Sequence, residues 1–298
     1  MNATLRPLCV CLAAALMAAA IPPHAAQLPS LTFGRGDIFI SLEPGPVQWR
    51  QADGSLRAVL LQTVVGTGEG MAFDASGNLY VTRWALDDSR LTGNTVEKYN
   101  SLGLSLGAVG EGYNCEPHTI VFDGSGNGYV GQAGCNGSIL RFDPNWTQAA
   151  EFRAAPDGMG TFWMDLTDDG CTMFYTSWGP NVKRFNLCDG RQLPDFNDKP
   201  LPGGETQDLR LLPDGGVLVS SGQVVVRLDA RGAVVQTYRA PDEEALWSGL
   251  DVLDDGTFWV GNYRTSNVYR FDLETGGVKG RFNTGTEPNT VVGIRVRK

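Results

Sequence analysis

The chain is poor in histidine and in positive charge. Its 298 residues include two histidines, His24 and His118, and 24 lysine and arginine residues against 33 aspartate and glutamate residues, for a net charge of −9. Such an acidic chain lacks the basic surface that neutralises phosphates, which argues against nucleic acid and anionic membrane surfaces as partners. Neither an HExxH zinc motif nor the GK dipeptide of a phosphate-binding loop occurs, so two common hydrolase classes have no support.

Long apolar runs are also missing, with one exception near the N-terminus. Residues 1–26 hold a single charged side chain, Arg6, then the apolar run Leu8–Ile21 and small residues before Ala26. This order is typical of a secretory signal peptide, and the alternative is an uncleaved anchor. We predict export to the periplasm or the cell exterior, without a membrane span. Residues 27–298 then form the mature chain, whose net charge without Arg6 is −10.

A short phrase repeats at a constant interval. It reads VEKYN, ILRFD, VKRFN, VVRLD and VYRFD, and its copies start 43 residues apart, at residues 96, 139, 182, 225 and 268. A glycine- and aspartate-rich turn with a β-branched and aromatic run, such as DASGNLYVT, precedes each copy, which is the pattern of a β-hairpin. Further apolar segments flank both, so each unit holds four short strands.

A fainter copy, VQWRQ, starts at Val47, which makes six units, and six such units are typical of a β-propeller. We predict an all-β fold in which residues 27–298 form a single six-bladed β-propeller domain with four-stranded blades. The first unit opens with GDIFIS and has no inner strand, so we predict that Val291–Val296 closes the first blade and removes two exposed sheet edges. A pair of β-sandwiches is the alternative, but nothing in that fold requires a constant interval.

The four cysteines of the mature chain fit two predicted hairpins. Around the GSG turn Cys115 lies opposite Cys135, and around the WGPN turn Cys171 lies opposite Cys188. Such neighbours bring their Cα atoms within the roughly 4.4–6.8 Å that a disulfide allows. An even number of cysteines in an exported chain agrees with disulfides. We predict Cys115–Cys135 and Cys171–Cys188, each within one blade.

The face that carries the blade-to-blade loops is the predicted functional face, since binding residues tend to lie on loops over a rigid scaffold. Aligned inner strands place one residue of each blade at the channel mouth: Glu69, His118, Phe162, Gln207, Ser248 and Val292. Other carboxylates lie close by in sequence: Glu116, Glu205 and Glu287. They suggest a site for Ca²⁺, another divalent cation or a polar ligand, and the alternative is ordinary solvated loop carboxylates.

Aromatic residues and a long insertion belong to the same face. Trp84, Trp178 and Tyr263 follow second strands and either stack on a ligand or pack in the protein. The insertion, RWALDDSRLTGNT, follows the second strand of blade 2. His118 is the only histidine outside the leader, and its imidazole can accept a proton, donate a hydrogen bond or bind a metal. A ligand contact or catalytic base and a structural hydrogen bond to a neighbouring carbonyl are both open interpretations.

The repeats resemble NHL-repeat propellers and, more loosely, the gluconolactonase–regucalcin family and the virginiamycin B lyase type. The phrases GEGMAFDASGNLYVT and GNYRTSNVYRFD carry the resemblance, which extends over nearly all of residues 33–298. Likeness to gluconolactonases implies one divalent metal in the channel, with Glu69 and Gln207 as candidate ligands and Ser248 where that family has asparagine. Likeness to the lyases implies a catalytic histidine, for which His118 is the candidate.

We therefore predict an exported, monomeric propeller that binds a small polar ligand or a protein partner at the channel mouth. The ligand-binding candidates are Glu69, Trp84, Glu116, Gln207 and Ser248. The alternative is a divalent-metal-assisted hydrolase or a lyase that acts in the central channel.

Overall fold

The structure, a computed structural model, describes residues 31–85, 93–135 and 137–298. The predicted signal peptide and most of the long insertion after Trp84 lie outside the described residues. Twenty-four β-strands form six four-stranded antiparallel sheets, and the fold is the predicted six-bladed β-propeller. Residues 32–298 form one compact unit. In the described ranges no helix has the length and apolar character to span a bilayer.

The first three blades are built from the following strands. Blade 1 contains β1 (Ile38–Leu42), β2 (Val47–Arg50) and β3 (Leu56–Leu60). Blade 2 contains β4 (Thr67–Phe73), β5 (Leu79–Trp84), β6 (Thr95–Tyr99) and β7 (Ser105–Val109). Blade 3 contains β8 (Pro117–Phe122), β9 (Gly128–Gln132), β10 (Ser138–Phe142) and β11 (Gln148–Arg153).

The last three blades repeat this plan. Blade 4 contains β12 (Trp163–Leu166), β13 (Thr172–Thr176), β14 (Lys183–Asn186) and β15 (Arg191–Leu193). Blade 5 contains β16 (Thr206–Leu211), β17 (Val217–Ser221), β18 (Val224–Leu228) and β19 (Val234–Tyr238). Blade 6 contains β20 (Trp247–Val252), β21 (Thr257–Asn262), β22 (Asn267–Asp272) and β23 (Val278–Asn283), and β24 (Val291–Val296) follows it.

Strand β24 closes the ring, as predicted. It is the inner strand of blade 1, whose order is β24-β1-β2-β3. Ile38 pairs with Val296 and Ile40 with Ile294 in an antiparallel register. These four side chains are buried in a cluster that also includes Trp259 of blade 6, so the closing strand completes the core between the last blade and the first.

Each blade buries its faces against its neighbours, because a single twisted sheet cannot cover both of its apolar faces. Between blades 5 and 6, for example, Tyr238 packs in one buried cluster with Trp247, Phe258 and Phe271. The Tyr238 and Phe258 rings meet edge to face, with centroids 4.9 Å apart. The apolar alternation within the repeated phrases supplies these contacts.

Hydroxyl groups of second strands set the position of the channel-mouth residues. In four blades a serine or threonine donates a hydrogen bond to a backbone carbonyl on the inner strand of the next blade. The donors are Ser41, Thr82, Thr176 and Ser220, and the acceptors are the carbonyls of Glu69, His118, Gln207 and Ser248 respectively. The same position holds Gly131 in blade 3 and Gly261 in blade 6. Four of the six predicted ring positions are therefore tied to the preceding blade through one repeated contact.

A buried ion pair lies within blade 2 and contacts blade 1 through the Gly45 carbonyl. The Arg83 guanidinium lies 2.7 Å from a carboxylate oxygen of Glu97, and both side chains are fully buried. Arg83 also donates to the Gly45 carbonyl and to the Tyr99 hydroxyl, and Ser105 donates to Glu97 at 2.6 Å. Because each charge has several partners, the pair is tolerated away from water.

Both predicted disulfides are present. Their Cα–Cα distances are 5.4 Å and 5.2 Å, in Cys115–Cys135 and Cys171–Cys188. The strand register differs by one residue from the prediction. A bulge lies near the start of β8, and β13 pairs with β14 so that Thr172 faces Asn186. Each bond therefore joins a cysteine to a residue one position beyond its backbone partner, a shift that the Cα range of a disulfide accommodates.

Candidate functional site

A cavity of about 180 Å³ lies at the channel mouth, where the inner strands begin. All six predicted ring residues line it: Glu69, His118, Phe162, Gln207, Ser248 and Val292. The predicted aromatic residues line it as well: Trp84, Trp178 and Tyr263. The alignment of inner strands and the aromatic positions after second strands thus converge on one place.

Aromatic side chains form much of the wall. The His118 and Phe162 rings stack with centroids 3.8 Å apart, and Trp178 stacks on the other side of this pair, 5.4 Å from Phe162. Trp178 is 43% exposed, although it is a large aromatic residue. Its backbone has a φ of 59°, in the left-handed region that is unfavourable for a bulky side chain. The fold holds this indole at the cavity opening at a conformational cost.

His118 and Glu69 form a buried pair across the boundary of blades 2 and 3. His118 Nδ1 lies 2.8 Å from the Phe162 carbonyl oxygen, and Nε2 lies 3.2 Å from a carboxyl oxygen of Glu69. A carbonyl can only accept a hydrogen bond, so Nδ1 carries a proton and Nε2 is the acceptor in a neutral ring. Glu69 then donates its carboxyl proton to Nε2. In blade 3 the second strand has Gly131 where four other blades have serine or threonine, so no hydroxyl at this position donates to the inner strand of the next blade. There the imidazole of His118 bonds the Phe162 carbonyl instead.

The electrostatics agree with one shared proton. Burial, followed by the nearby Glu43 carboxylate, raises the pKa of Glu69 well above its usual range. Burial lowers the pKa of His118 to about 3, against a smaller opposing effect of its bond to Phe162. Both shifts favour the uncharged form of each group, because a low-dielectric site penalises an isolated charge. At neutral pH one proton thus lies between the Glu69 carboxyl group and Nε2 of His118, and the pair carries no net charge.

A second carboxyl group faces the cavity from blade 1. Glu43 lines it and accepts a hydrogen bond of 3.0 Å from the Tyr263 hydroxyl. Burial and the negative charge of Glu43 raise the pKa of Tyr263 to about 12, so this hydroxyl remains a donor. Glu43 was not among the predicted residues. It stands two positions after Ser41, as Trp84 stands after Thr82 and Trp178 after Thr176, and this offset would have identified it.

Other lining residues were also missed from sequence: Met159, Trp163, Leu246 and Trp247. Three predicted carboxylates do not line the cavity. Glu116 is half-buried beside it, and Glu205 and Glu287 are exposed. Proximity in sequence to the ring did not place these three side chains in the cavity, whereas Met159 and Leu246, also in blade-to-blade loops, do line it.

The cavity offers a metal ion few ligands. Phe162 and Val292 have no side-chain donor atom, and Ser248 gives its hydroxyl proton to the Val291 carbonyl at 2.8 Å. In the part of the chain that the structure describes, no group of three or more His, Cys, Asp or Glu side chains is placed to hold a metal. This set does not fit Ca²⁺, which takes roughly six to eight oxygen ligands. A cation bound through Glu69 and Gln207 stays a prediction.

The letters GLSLG, at residues 103–107, match the GxSxG pattern of serine hydrolases. That pattern carries its chemistry on a strand-to-helix turn at an active site. Here Ser105 begins the outer strand β7 and donates its hydroxyl proton to Glu97. The match therefore has a structural explanation and does not belong to the cavity.

Comparison with known proteins supports the fold alone. No model of a protein family matches the chain, and no curated protein matches its sequence. Among solved structures, a protein of unknown function from Bacteroides caccae is 15% identical with a TM-score of 0.69, covering 88% of this chain and 99% of its own. A chain of a nidogen/laminin complex is 12% identical with a TM-score of 0.69, covering 88% and 98%.

Virginiamycin B lyase from Staphylococcus aureus is also similar, at 15% identity and a TM-score of 0.56 over 74% of this chain and 71% of the lyase. These identities are too low to carry an activity across, because one fold supports many functions. The similarity thus concerns the fold, and the function has to be argued from the cavity.

Proposed function

We propose that the protein binds a small ligand, about one ring in size, in the channel-mouth cavity. The observation that carries this proposal is Trp178, an indole that is 43% exposed and stacked on Phe162 at the cavity opening. Exposed aromatic faces held against the backbone's preference are typical of ligand contacts, since packing inside the protein does not require them.

The composition of the wall supports a ligand site. Ligand cavities are mostly apolar, with a few convergent polar groups that orient the ligand. This cavity has aromatic and aliphatic walls with Glu43, Glu69 and Gln207 as the polar groups. Its volume of about 180 Å³ suits a small molecule.

Binding is favoured over catalysis by the state of His118. Both imidazole nitrogens are engaged by the protein, Nδ1 with Phe162 and Nε2 with Glu69. A general base needs a free lone pair within reach of the proton that it removes. The imidazole has none to offer a ligand while Glu69 donates to it, so we assign His118 to the wall.

The seven tryptophans provide a direct test. Four line the cavity, Trp84, Trp163, Trp178 and Trp247, and three lie elsewhere in the blades, Trp49, Trp146 and Trp259. Protein labelled with ¹⁵N-tryptophan is titrated with benzyl alcohol while the indole N–H signals are followed by NMR. We expect the cavity signals to move with a Kd of about 1 mM and the other three to stay in place.

The variant Trp178→Ala provides the control. It removes the stacking face at the opening without touching the Glu69–His118 pair, so we expect affinity for benzyl alcohol to fall about tenfold. Equal movement of all seven indole signals contradicts the proposal. So does the absence of movement at benzyl alcohol concentrations close to its solubility limit.

We also infer that the protein is exported and monomeric. Two disulfides are typical of proteins in oxidising compartments, and the composition of residues 1–26 supports the same interpretation. N-terminal sequencing of the protein recovered from its producing cells tests export, with a start at Ala26 or Gln27 expected. Light scattering after size-exclusion chromatography measures the mass of the protein in solution, and the mass of a dimer would contradict the inference of a monomer.

A further inference from the structure

We propose that the ligand is a small organic cation, an ammonium group on an aromatic or apolar body, with Glu43 and Glu69 as its counter-charges. This inference rests on the proposed function and adds the chemical class of the ligand. It follows from the charge around the cavity and from the chemistry of its walls.

The groups that face the cavity are of one sign. Glu43 and Glu69 line it, and among the described residues no lysine or arginine does so. Glu116 adds negative potential at Glu69. Arg83 is the basic side chain near Glu69, but it is buried and bound to Glu97. A ligand with negative charge would meet two carboxyl groups and, in the part of the cavity wall that the structure describes, no basic side chain, whereas a positive charge is attracted to both of them.

The walls suit an organic cation better than a metal ion. Trp84, Trp178 and Tyr263 present aromatic faces, which attract an ammonium group through the negative face of the ring. The same faces provide no oxygen ligands to replace the water shell of a hard cation. Removing the apolar end of an alkyl- or arylammonium ion from water costs little free energy. The apolar end therefore suits the aromatic and aliphatic wall, and the ammonium group suits the carboxyl groups.

Binding of a cation is linked to the proton of the Glu69–His118 pair. Without a bound cation, Glu69 donates its carboxyl proton to Nε2 of His118. A cation beside Glu69 favours its carboxylate form, so binding releases the proton. The other groups that face Glu69 act together with it: Glu43 and Glu116 oppose ionisation and Arg83 favours it. Tyr263 stays neutral as a donor to Glu43.

Three ligands with one ring each test the charge. Benzylammonium, benzyl alcohol and benzoate are titrated separately into the ¹⁵N-tryptophan protein, and calcium chloride forms a fourth series. We expect benzylammonium to bind at least about tenfold more tightly than benzyl alcohol, and benzoate to leave the cavity signals unchanged. Calcium is expected to leave them unchanged as well.

Two isosteric variants assign the counter-charges. In Glu43→Gln and in Glu69→Gln we expect the ratio of the affinities for benzylammonium and for benzyl alcohol to fall about tenfold. The affinity of the unmodified protein for benzylammonium should rise with increasing pH, and Glu69→Gln should remove this dependence. Glu287→Gln removes an exposed carboxyl of the same face and serves as the matched control.

The outcomes separate the two proposals. If benzyl alcohol and benzylammonium move the cavity signals with equal affinity, the charge inference is overturned and ligand binding stands. If none of the three moves them, both proposals are overturned. Tight binding of calcium that excludes benzylammonium would overturn the organic cation in favour of a metal, and unchanged preference in both variants would overturn the assignment of Glu43 and Glu69.

Discussion

Replacing His118 by asparagine and by glutamine separates its two hydrogen bonds. In the protein Nδ1 donates to the Phe162 carbonyl at 2.8 Å, and Nε2 faces Glu69 at 3.2 Å. The amide of asparagine reaches the position of Nδ1, and the longer glutamine reaches that of Nε2. We expect His118→Asn to keep the bond to Phe162 and His118→Gln to keep the bond to Glu69.

The two bonds differ in their weight for stability. The Phe162 residue is buried, and a buried carbonyl left without a donor costs about 1–3 kcal/mol. Both residues line the cavity, but the Glu69 carboxyl group is on a side chain that can turn to a water molecule there, whereas the Phe162 carbonyl is fixed in the backbone. We expect His118→Gln to be about 2 kcal/mol less stable than His118→Asn, which corresponds to a difference of roughly 4–8 °C in Tm.

The same variants test the charge state of the imidazole. Burial lowers the pKa of His118 to about 3, whereas histidine in an unfolded chain titrates near 6.5. Below about pH 6.5 the unfolded chain therefore binds a proton at His118 that the folded protein does not bind. The stability from this group is fully present above that pH and is lost as the pH falls, by up to about 1.4 kcal/mol for each unit.

Guanidinium unfolding of all three proteins at about pH 7.5, 6.5 and 5.5 measures both effects. Relative to both variants, the parent protein should lose stability between about pH 6.5 and pH 5.5, because His118 is the only histidine in residues 27–298. The raised pKa of Glu69 acts in the opposite direction in all three proteins, so the difference between the proteins is the quantity to compare. Equal stability of the two variants would refute the assignment of the Phe162 bond. A parent protein whose stability changes with pH in the same way as that of the two variants would refute the buried neutral imidazole.

Three further predictions concern the scaffold. Deletion of residues 289–298 removes the inner strand of blade 1, so we expect misfolding or aggregation in size-exclusion chromatography, and a normal melting curve would contradict ring closure. Arg83→Met strands the Glu97 carboxylate and should cost about 3–5 kcal/mol by denaturant unfolding, whereas the double variant with Glu97→Met should recover most of it. Cys171→Ser with Cys188→Ser opens a loop and should cost about 3 kcal/mol, and peptide mapping without reduction should recover both disulfides within single blades.

Much of the fold follows from the constant interval of 43 residues. The interval fixes the number and order of the blades, and alignment of the inner strands that precede each copy places Glu69, His118 and Gln207 in one ring. The boundaries of β24 match the predicted closing segment, Val291–Val296. Local hairpin geometry was sufficient for both disulfides, since a shift of one residue leaves the cysteines within bonding distance.

The contacts within the ring did not follow from the repeat. An alignment gives the height of a residue along the channel but not the direction of its side chain, so the pairing of Glu69 with His118 was missed. Glu43 was missed because blade 1 carries the faintest copy of the repeat. Its place becomes evident only from the hydroxyl of Ser41, two residues earlier. The Arg83–Glu97 pair lies within blade 2, on the paired strands β5 and β6, and was missed although the hairpin register places both side chains on one face.

Ring closure by β24 has a consequence for the timing of folding. Ile38 obtains its inner neighbour only when Val296 has been synthesised, so the first blade to emerge is the last to be completed. Such distant pairing is slow, and it leaves the edge of β1 without a partner while the other blades assemble. A chain that passes through a membrane pore before it folds gains from this order, because the ring cannot lock until nearly all of its strands are on the far side.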